Sequence, residues 1–132
     1  MTAQNFSQHQ WKNRILIVAF DEADQQNYTE QMRLLKANEK GLVERKLVVY
    51  QICNELYKRG LDEKADWQKI DAAVMQKINS KTETNFSVLL MGLDGGMKVR
   101  KSEVFSMEEL FGIIDAMPMR AREIRNIEKG KK

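Results

Sequence analysis

The most constraining feature of this sequence is a short apolar run near its start. Arg14–Phe20 has the sequence RILIVAF, with no polar side chain after the arginine. A strand with one solvent-exposed face alternates apolar and polar residues, and this run does not alternate. It therefore predicts a strand that is buried on both faces, as in the sheets of α/β proteins.

A helix and a second strand are predicted after this run. Tyr28, Met32 and Leu35 recur at helical spacing and would form one apolar stripe. Gly41 is the predicted end of that helix. Lys46–Ile52 (KLVVYQI) is again rich in β-forming residues. The order strand, helix, strand predicts a parallel pair joined by a crossover.

The middle of the chain has a weaker pattern. Residues 54–65 are mixed in character and are interrupted by Gly60. Asp66 is a predicted helix cap, because a short carboxylate accepts hydrogen bonds from backbone N–H groups at a helix start. The apolar face of that predicted helix consists of Trp67, Ile70, Val74 and Ile78.

A hairpin is predicted in the last third of the chain. Phe86–Leu93 (FSVLLMGL) is a third apolar run, and Asp94-Gly95-Gly96 follows it. Glycines adopt turn conformations at little cost, so this triplet predicts a tight turn. Residues 97–100 then alternate apolar and basic side chains, which is typical of a half-exposed fourth strand.

The last predicted helix has the clearest start. Ser106 and Glu109 match a capping box, while Phe105 and Leu110 occupy the positions of a hydrophobic staple. Pro118 is expected to end the helix, because its ring removes a backbone donor. The predicted buried stripe consists of Leu110, Ile113, Ile114 and Met117.

The element order is β-α-β-α-β-β-α. A crossover unit followed by a hairpin and a covering helix is typical of an α/β, thioredoxin-like fold with a central mixed sheet. We predict one domain over residues 11–118, preceded by a polar segment, 1–10, and followed by a basic tail, 119–132. The tail has a net charge of +4, from six Lys or Arg and two Glu, against +3 for the whole chain.

The C-terminal motifs GLDGGMKVR and DAMPMR, with WKNRILIVAF at residues 11–20 and ERKLVV at 44–49, carry a family resemblance. The chain resembles a small bacterial thioredoxin-like domain family of unknown function. Related domains occur in animal sushi-repeat-containing and coiled-coil-domain-containing matrix proteins. The resemblance implies a thioredoxin-like fold and frequent export, but no reaction. At Leu93 the chain departs from the lysine that the family often has before the turn.

The chain has one cysteine, Cys53, and one histidine, His9. One thiol cannot form an intrachain disulfide or a cysteine zinc site, so we predict no metal, no cofactor and no thiol–disulfide catalysis. Cys53 is predicted to be a small core residue at the end of a strand. The alternative is a one-cysteine peroxidase, which would require the thiol at a helix N-terminus, whereas Cys53 follows a strand.

The junction after the first strand is where many redox proteins carry a reactive cysteine pair. Here it carries three carboxylates, Asp21, Glu22 and Asp24. These residues are candidates for capping the next helix. The alternative is a carboxylate cluster for metal binding or acid–base chemistry.

Four basic residues form a candidate anion site. Lys98 and Arg100 share one side of the predicted fourth strand, and Arg120 and Arg122 follow the last helix. Together they could bind a phosphate or carboxylate. The alternative is a solvated edge strand, where lysine discourages aggregation. No aromatic platform accompanies the basic tail, which argues against nucleic acid as a partner.

These observations predict a non-catalytic binding or interaction module with no assigned catalytic residue, whose partner is a protein or a small anion. The alternative is an enzyme of unknown reaction that uses the junction carboxylates with nearby basic residues. No apolar run approaches the roughly 20 residues that span a bilayer. The polar start MTAQNFSQHQ has no signal-peptide core. The family resemblance implies an exported or periplasmic protein whose signal has been removed, with a cytoplasmic protein as the alternative.

Overall fold

The computed structural model describes residues 12–21, 25–53, 56–61, 66–69, 86–93, 96–117, 120 and 123–125. Its strands are β1 Arg14–Phe20, β2 Leu47–Cys53, β3 Leu56–Arg59, β4 Gln68–Lys69, β5 Phe86–Met91 and β6 Met97–Lys101. Its helices are α1 Gln25–Ala37, α2 Glu39–Glu44 and α3 Met107–Asp115. Among the helices described here, none has the length and the apolar character of a membrane span.

The strands form one mixed sheet in the order β4-β3-β2-β1-β5-β6. β1 and β2 are parallel, with Ile17 opposite Tyr50, and the other neighbouring strands are antiparallel. The parallel pair predicted from the strand-helix-strand order is therefore confirmed. β5 and β6 form the predicted hairpin.

β1 divides the apolar core into two clusters, because successive side chains of a strand point to opposite faces. Leu16 and Val18 belong to the cluster that includes residues of all three helices, which we call the helix-side core. Ile15 and Ile17 belong to a second cluster with Tyr50 and other sheet residues. All four side chains are buried, so the prediction of a strand buried on both faces is confirmed.

The predicted helix end at Gly41 is wrong. Helix α1 ends at Ala37, and Gly41 lies inside α2. A Cβ atom at Gly41 would lie 2.7 Å from Cζ of Phe111, so the glycine gives the ring of a distant helix room to approach. The side-chain amide of Asn38 instead donates to the carbonyl oxygen of Leu34 at 2.8 Å, at the break between α1 and α2.

The region after β2 also differs from its prediction. Residues 56–59 form β3, which pairs with β2 in an antiparallel arrangement. The helix predicted from Asp66 is wrong at its start, because residues 68–69 form β4 and pair with β3. The rest of that predicted helix lies outside the described residues. In β3 burial does not follow polarity, because charged Lys58 is buried and apolar Leu56 is exposed. The sequence of this strand therefore lacks the usual alternation of apolar and polar residues. The Lys58 ammonium lies over the ring of Trp67, 4.8 Å from its centroid.

Helix α3 begins as predicted. The Ser106 hydroxyl accepts a hydrogen bond from the backbone N–H of Glu109 at 3.2 Å. Lys101 of β6 donates to the Glu109 carboxylate at 2.8 Å, so this side chain ties the helix start to the sheet. Leu110 and Ile114 are fully buried in the helix-side core. Burial of such a side chain stabilises the fold by about 1.5–3 kcal/mol. The predicted turn residues 94–95 and Pro118 lie outside the described residues.

Charged side chains from four parts of the chain meet near the start of β1 and the ends of α2 and α3. Three are arginines and three are carboxylates: Arg14, Arg45, Arg120, Glu44, Asp115 and Glu123. We call this set the charged cluster. It includes Arg120 and Glu123 of the predicted basic tail, so these two residues pack against the domain there.

Asp115 is the most connected carboxylate of the charged cluster. It accepts two hydrogen bonds from the Arg45 guanidinium, at 3.1 and 2.9 Å, and a third from Arg120 at 3.0 Å. Arg45 also donates to the carbonyl oxygen of Gly41 at 3.0 Å and lies over the Phe111 ring, 3.9 Å from its centroid. These contacts fix the end of α2 against α3.

The charged cluster predicts a pH dependence of stability. Partial burial alone would raise the pKa of Asp115, but hydrogen bonds and charge from Arg45 and Arg120 outweigh this and lower that pKa. A lowered folded-state pKa contributes stability above the unfolded-state pKa, about 3.9, and that contribution is lost as pH falls. Urea melts should therefore show that Asp115→Asn lowers the free energy of unfolding at pH 7 and that its difference from wild type shrinks towards pH 3.

The matched control for this experiment is Glu108→Gln, which removes one negative charge from an exposed position of the same helix. We expect this variant to stay close to wild type throughout the pH range, because exposed charges contribute little. An Asp115→Asn effect that is absent at pH 7, or that stays constant between pH 7 and pH 3, would contradict the assignment.

Candidate functional site

Aromatic rings pack at the end of β1, beside the junction that leads into α1. Phe20, the last residue of β1, stacks on Tyr28 with ring centroids 3.8 Å apart. Trp67 meets Phe20 edge-on, with centroids 6.1 Å apart. Of the junction carboxylates, Asp21 is half-buried, while Glu22 and Asp24 lie outside the described residues. Their predicted roles stay predictions.

Cys53 ends β2 and lies opposite Phe20 in the parallel register. Its side chain is half-buried and packs against the helix-side core. The strand-end position predicted for this thiol is therefore confirmed. Among the described residues, no group of three or more His, Cys, Asp or Glu side chains is arranged to hold a metal ion.

A cleft of 490 Å³ lies between the helical layer and the β2–β3 hairpin. Its walls come from the end of α1, from α2, from β2 and from the end of β3. The lining residues are Lys36, Glu39, Leu42, Val43, Leu47, Val48, Val49, Arg59, Gly60 and Leu61. Most are aliphatic, so the cleft is an apolar surface with a few charged groups.

Local backbone geometry shapes the hairpin side of the cleft. Gly60 has φ of +90°, a conformation that side-chain-bearing residues rarely adopt. Its N–H donates to the carbonyl oxygen of Val49 at 2.7 Å. Its own carbonyl oxygen accepts from the side-chain amide of Gln51 at 2.8 Å. The Tyr28 hydroxyl donates to the same Gln51 side chain, which links the cleft wall to the aromatic rings at the end of β1.

The α2 side of the cleft is held by the contacts of Arg45 with Asp115, Gly41 and the Phe111 ring. Two neighbouring residues of this helix differ in exposure. Leu42 is buried, whereas Val43 is 76% exposed and lines the cleft. An apolar side chain as exposed as Val43 contributes little to the core. Its place in the cleft wall makes it available to a bound partner.

The cleft has three ionisable side chains, two basic and one acidic. Lys36 comes from the last turn of α1, Glu39 from the first turn of α2 and Arg59 from the end of β3. Arg59 is exposed, and its guanidinium has no hydrogen bond or ion pair with any residue that the structure describes. This exposed guanidinium lies on the cleft wall, within reach of a bound ligand.

The four residues of the predicted anion site have different surroundings. Lys98 is exposed and Arg100 half-buried on β6, at the opposite edge of the sheet from β3 and β4. Arg120 is 2% exposed, and its guanidinium bonds to the carboxylates of Asp115, Glu44 and Glu123. The positive charge of Arg120 is thus neutralised by carboxylates within the domain and does not contribute to binding an anion from solution. Arg122 lies outside the described residues, and an anion site at Lys98 and Arg100 stays a prediction.

The cleft has no counterpart among the sites predicted from the sequence. Three of the residues that line the cleft, Arg59, Gly60 and Leu61, belong to segment 54–65, whose sequence pattern predicts neither a helix nor a strand. No local signal marks the cleft in the sequence, because the exposure of Val43 on α2 follows from the fold and not from its neighbours in the chain.

Solved structures with the same architecture are distant in sequence. A reduced 2-Cys peroxiredoxin from Plasmodium vivax matches with a TM-score of 0.61 and 13% identity, covering 90% of this chain and 72% of that one. The protein Trgpx, in its apo form, matches at 0.54 and 16%, covering 84% and 83%. StoA from Bacillus subtilis matches at 0.50 and 6%, covering 76% and 81%. At these identities the similarity shows the fold alone, and it confirms the predicted thioredoxin-like fold.

No curated protein sequence matches this chain significantly. The predicted relation to animal sushi-repeat proteins therefore stays a prediction. Residues 5–123 match the domain of unknown function DUF4174, so the match includes all the strands and helices described above as well as Arg120 and Glu123. The chain therefore belongs to the DUF4174 family of domains of unknown function.

Proposed function

We propose that this domain is a non-catalytic binding module whose ligand site is the cleft between α2 and the β2–β3 hairpin. The observation that carries the proposal is the cleft itself, which is apolar and is held open by contacts elsewhere in the domain. Its 490 Å³ falls within the roughly 300–1,000 Å³ of small-molecule sites. The ligand class that fits such a surface is a small molecule with an apolar body.

The chemistry at the junction supports binding over thiol exchange. Exchange between a thiol and a disulfide needs an attacking thiolate and, in a dithiol enzyme, a resolving partner. This chain has only Cys53, which ends β2 beside Phe20 and packs against the helix-side core without a second thiol. The end of β1 carries the stacked rings of Phe20 and Tyr28.

The enzyme alternative depends on convergence of the junction carboxylates with basic residues. Asp21 and Arg100 are both described, and neither lines the cleft. Glu22 and Asp24 lie outside the described residues, so this alternative stays a prediction and the cleft favours binding.

Insulin reduction by dithiothreitol measures thioredoxin-like activity. We expect the domain to leave the rate at the background of dithiothreitol alone, because it has no dithiol. Cys53→Ser is the matched control and should give the same rate as wild type. An acceleration comparable to that of a thioredoxin, which disappears in Cys53→Ser, would exclude the proposal of a module without thiol chemistry.

Binding of the neutral apolar dye Nile red tests the cleft directly. Val43→Trp places a bulky ring at the cleft wall, and Val43 is exposed enough for the core to tolerate the change. We expect its dissociation constant for Nile red to rise by roughly tenfold, which corresponds to about 1.4 kcal/mol. Fluorescence titration measures this constant.

The matched control for the dye is Met97→Trp, which enlarges another exposed apolar side chain on β6, at the opposite edge of the sheet. This variant should bind Nile red like wild type. If both variants bind the dye like wild type, or if wild type does not bind it, the cleft is not the ligand site.

A further inference from the structure

We propose that the ligand of the cleft is an amphipathic monoanion, such as a carboxylate with an aliphatic body, and that Arg59 binds its head group. This inference rests on the proposed function, because it assigns a ligand class to the same cleft. It adds a charge requirement that an apolar cleft alone does not impose.

The charge of the lining residues favours an anion. Lys36 and Arg59 contribute two positive charges, and Glu39 contributes one negative charge. A single net positive charge beside an aliphatic surface complements one negative charge on a ligand with an apolar body. Glu39 would repel a second negative charge, which disfavours a dianion.

Arg59 is the group best suited to bind the head of the ligand. Its guanidinium presents a planar set of N–H donors that matches a carboxylate with two parallel hydrogen bonds. In the described part of the chain this guanidinium has no carboxylate partner, in contrast to the arginines of the charged cluster. The side chain is exposed at the end of β3, where it reaches a ligand without a change in the core.

The chain order around Arg59 places apolar surface next to the cation. Arg59, Gly60 and Leu61 are consecutive, and all three line the cleft. Gly60 has no side chain to separate its neighbours, and its backbone is held by bonds to Val49 and Gln51. A carboxylate at Arg59 therefore has aliphatic surface, beginning with Leu61, within reach of its own hydrocarbon chain.

Isothermal titration with decanoate and with decanol separates the charge from the apolar body. We expect wild type to bind decanoate more tightly than decanol by roughly tenfold or more, since hydrogen bonds to charged groups are the stronger ones. Arg59→Gln should remove this preference. It should raise the dissociation constant for decanoate and leave the dissociation constant for decanol unchanged. Arg59→Lys, which keeps the charge without the planar fork, should retain part of it.

Lys98→Gln is the control for charge, because it removes one positive charge from β6 at the opposite sheet edge. It should bind decanoate like wild type, and thermal melts should show that every variant is folded. Equal affinity of wild type for decanoate and decanol, or an Arg59→Gln variant with unchanged preference, would overturn the anion assignment. If Nile red binding still depends on Val43, the proposed function of the cleft is retained and only the anion assignment is rejected. If neither the decanoate preference nor the dependence of Nile red binding on Val43 is found, the proposed function is also rejected.

Discussion

The structure depends on the burial of β1 on both faces. Ile15 and Ile17 pack into one cluster and Leu16 and Val18 into the other, so the strand contributes to both halves of the apolar core. β1 also pairs on both edges, with β2 in parallel and β5 in antiparallel register. A polar substitution at any of these four positions would bury an unpaired group, whichever face it occupies. The remaining elements are arranged around this strand.

The charged cluster has a different role from the apolar core. Burying charge is expensive even when the charges are paired. Two nitrogens of fully buried Arg14, Nε and Nη2, have no hydrogen-bond partner among the residues that the structure describes. The cluster is therefore a costly way to gain stability. The charged cluster does fix the position of α2, because Arg45 bonds the end of this helix to Asp115 and to the carbonyl oxygen of Gly41. That helix forms one wall of the cleft, so the cluster sets the shape of the proposed ligand site.

Local signals in the sequence predicted the parts of the fold that local physics decides. The unbroken apolar run of β1, the Ser106 cap and the β5–β6 hairpin follow from side-chain pattern and turn chemistry over a few residues. Gly41 was misassigned because its neighbour Phe111 is 70 positions away, and nothing nearby marks a close approach. The sequence pattern does not predict β3, because a charged residue of this strand, Lys58, is buried beside the Trp67 ring where an apolar residue is expected. The cleft depends on that strand and on α2, so it could not be predicted without them.

We propose that ligands of this domain bind in the cleft and not at the junction after β1. Backbone amide chemical shifts of the isotope-labelled domain, followed during titration with decanoate, test it most directly. We expect the largest changes at Leu42, Val49 and Gly60, with little change at Phe20 and Asp21. Changes centred on Phe20 and Asp21, with the cleft amides unmoved, would contradict it and favour a function at the junction.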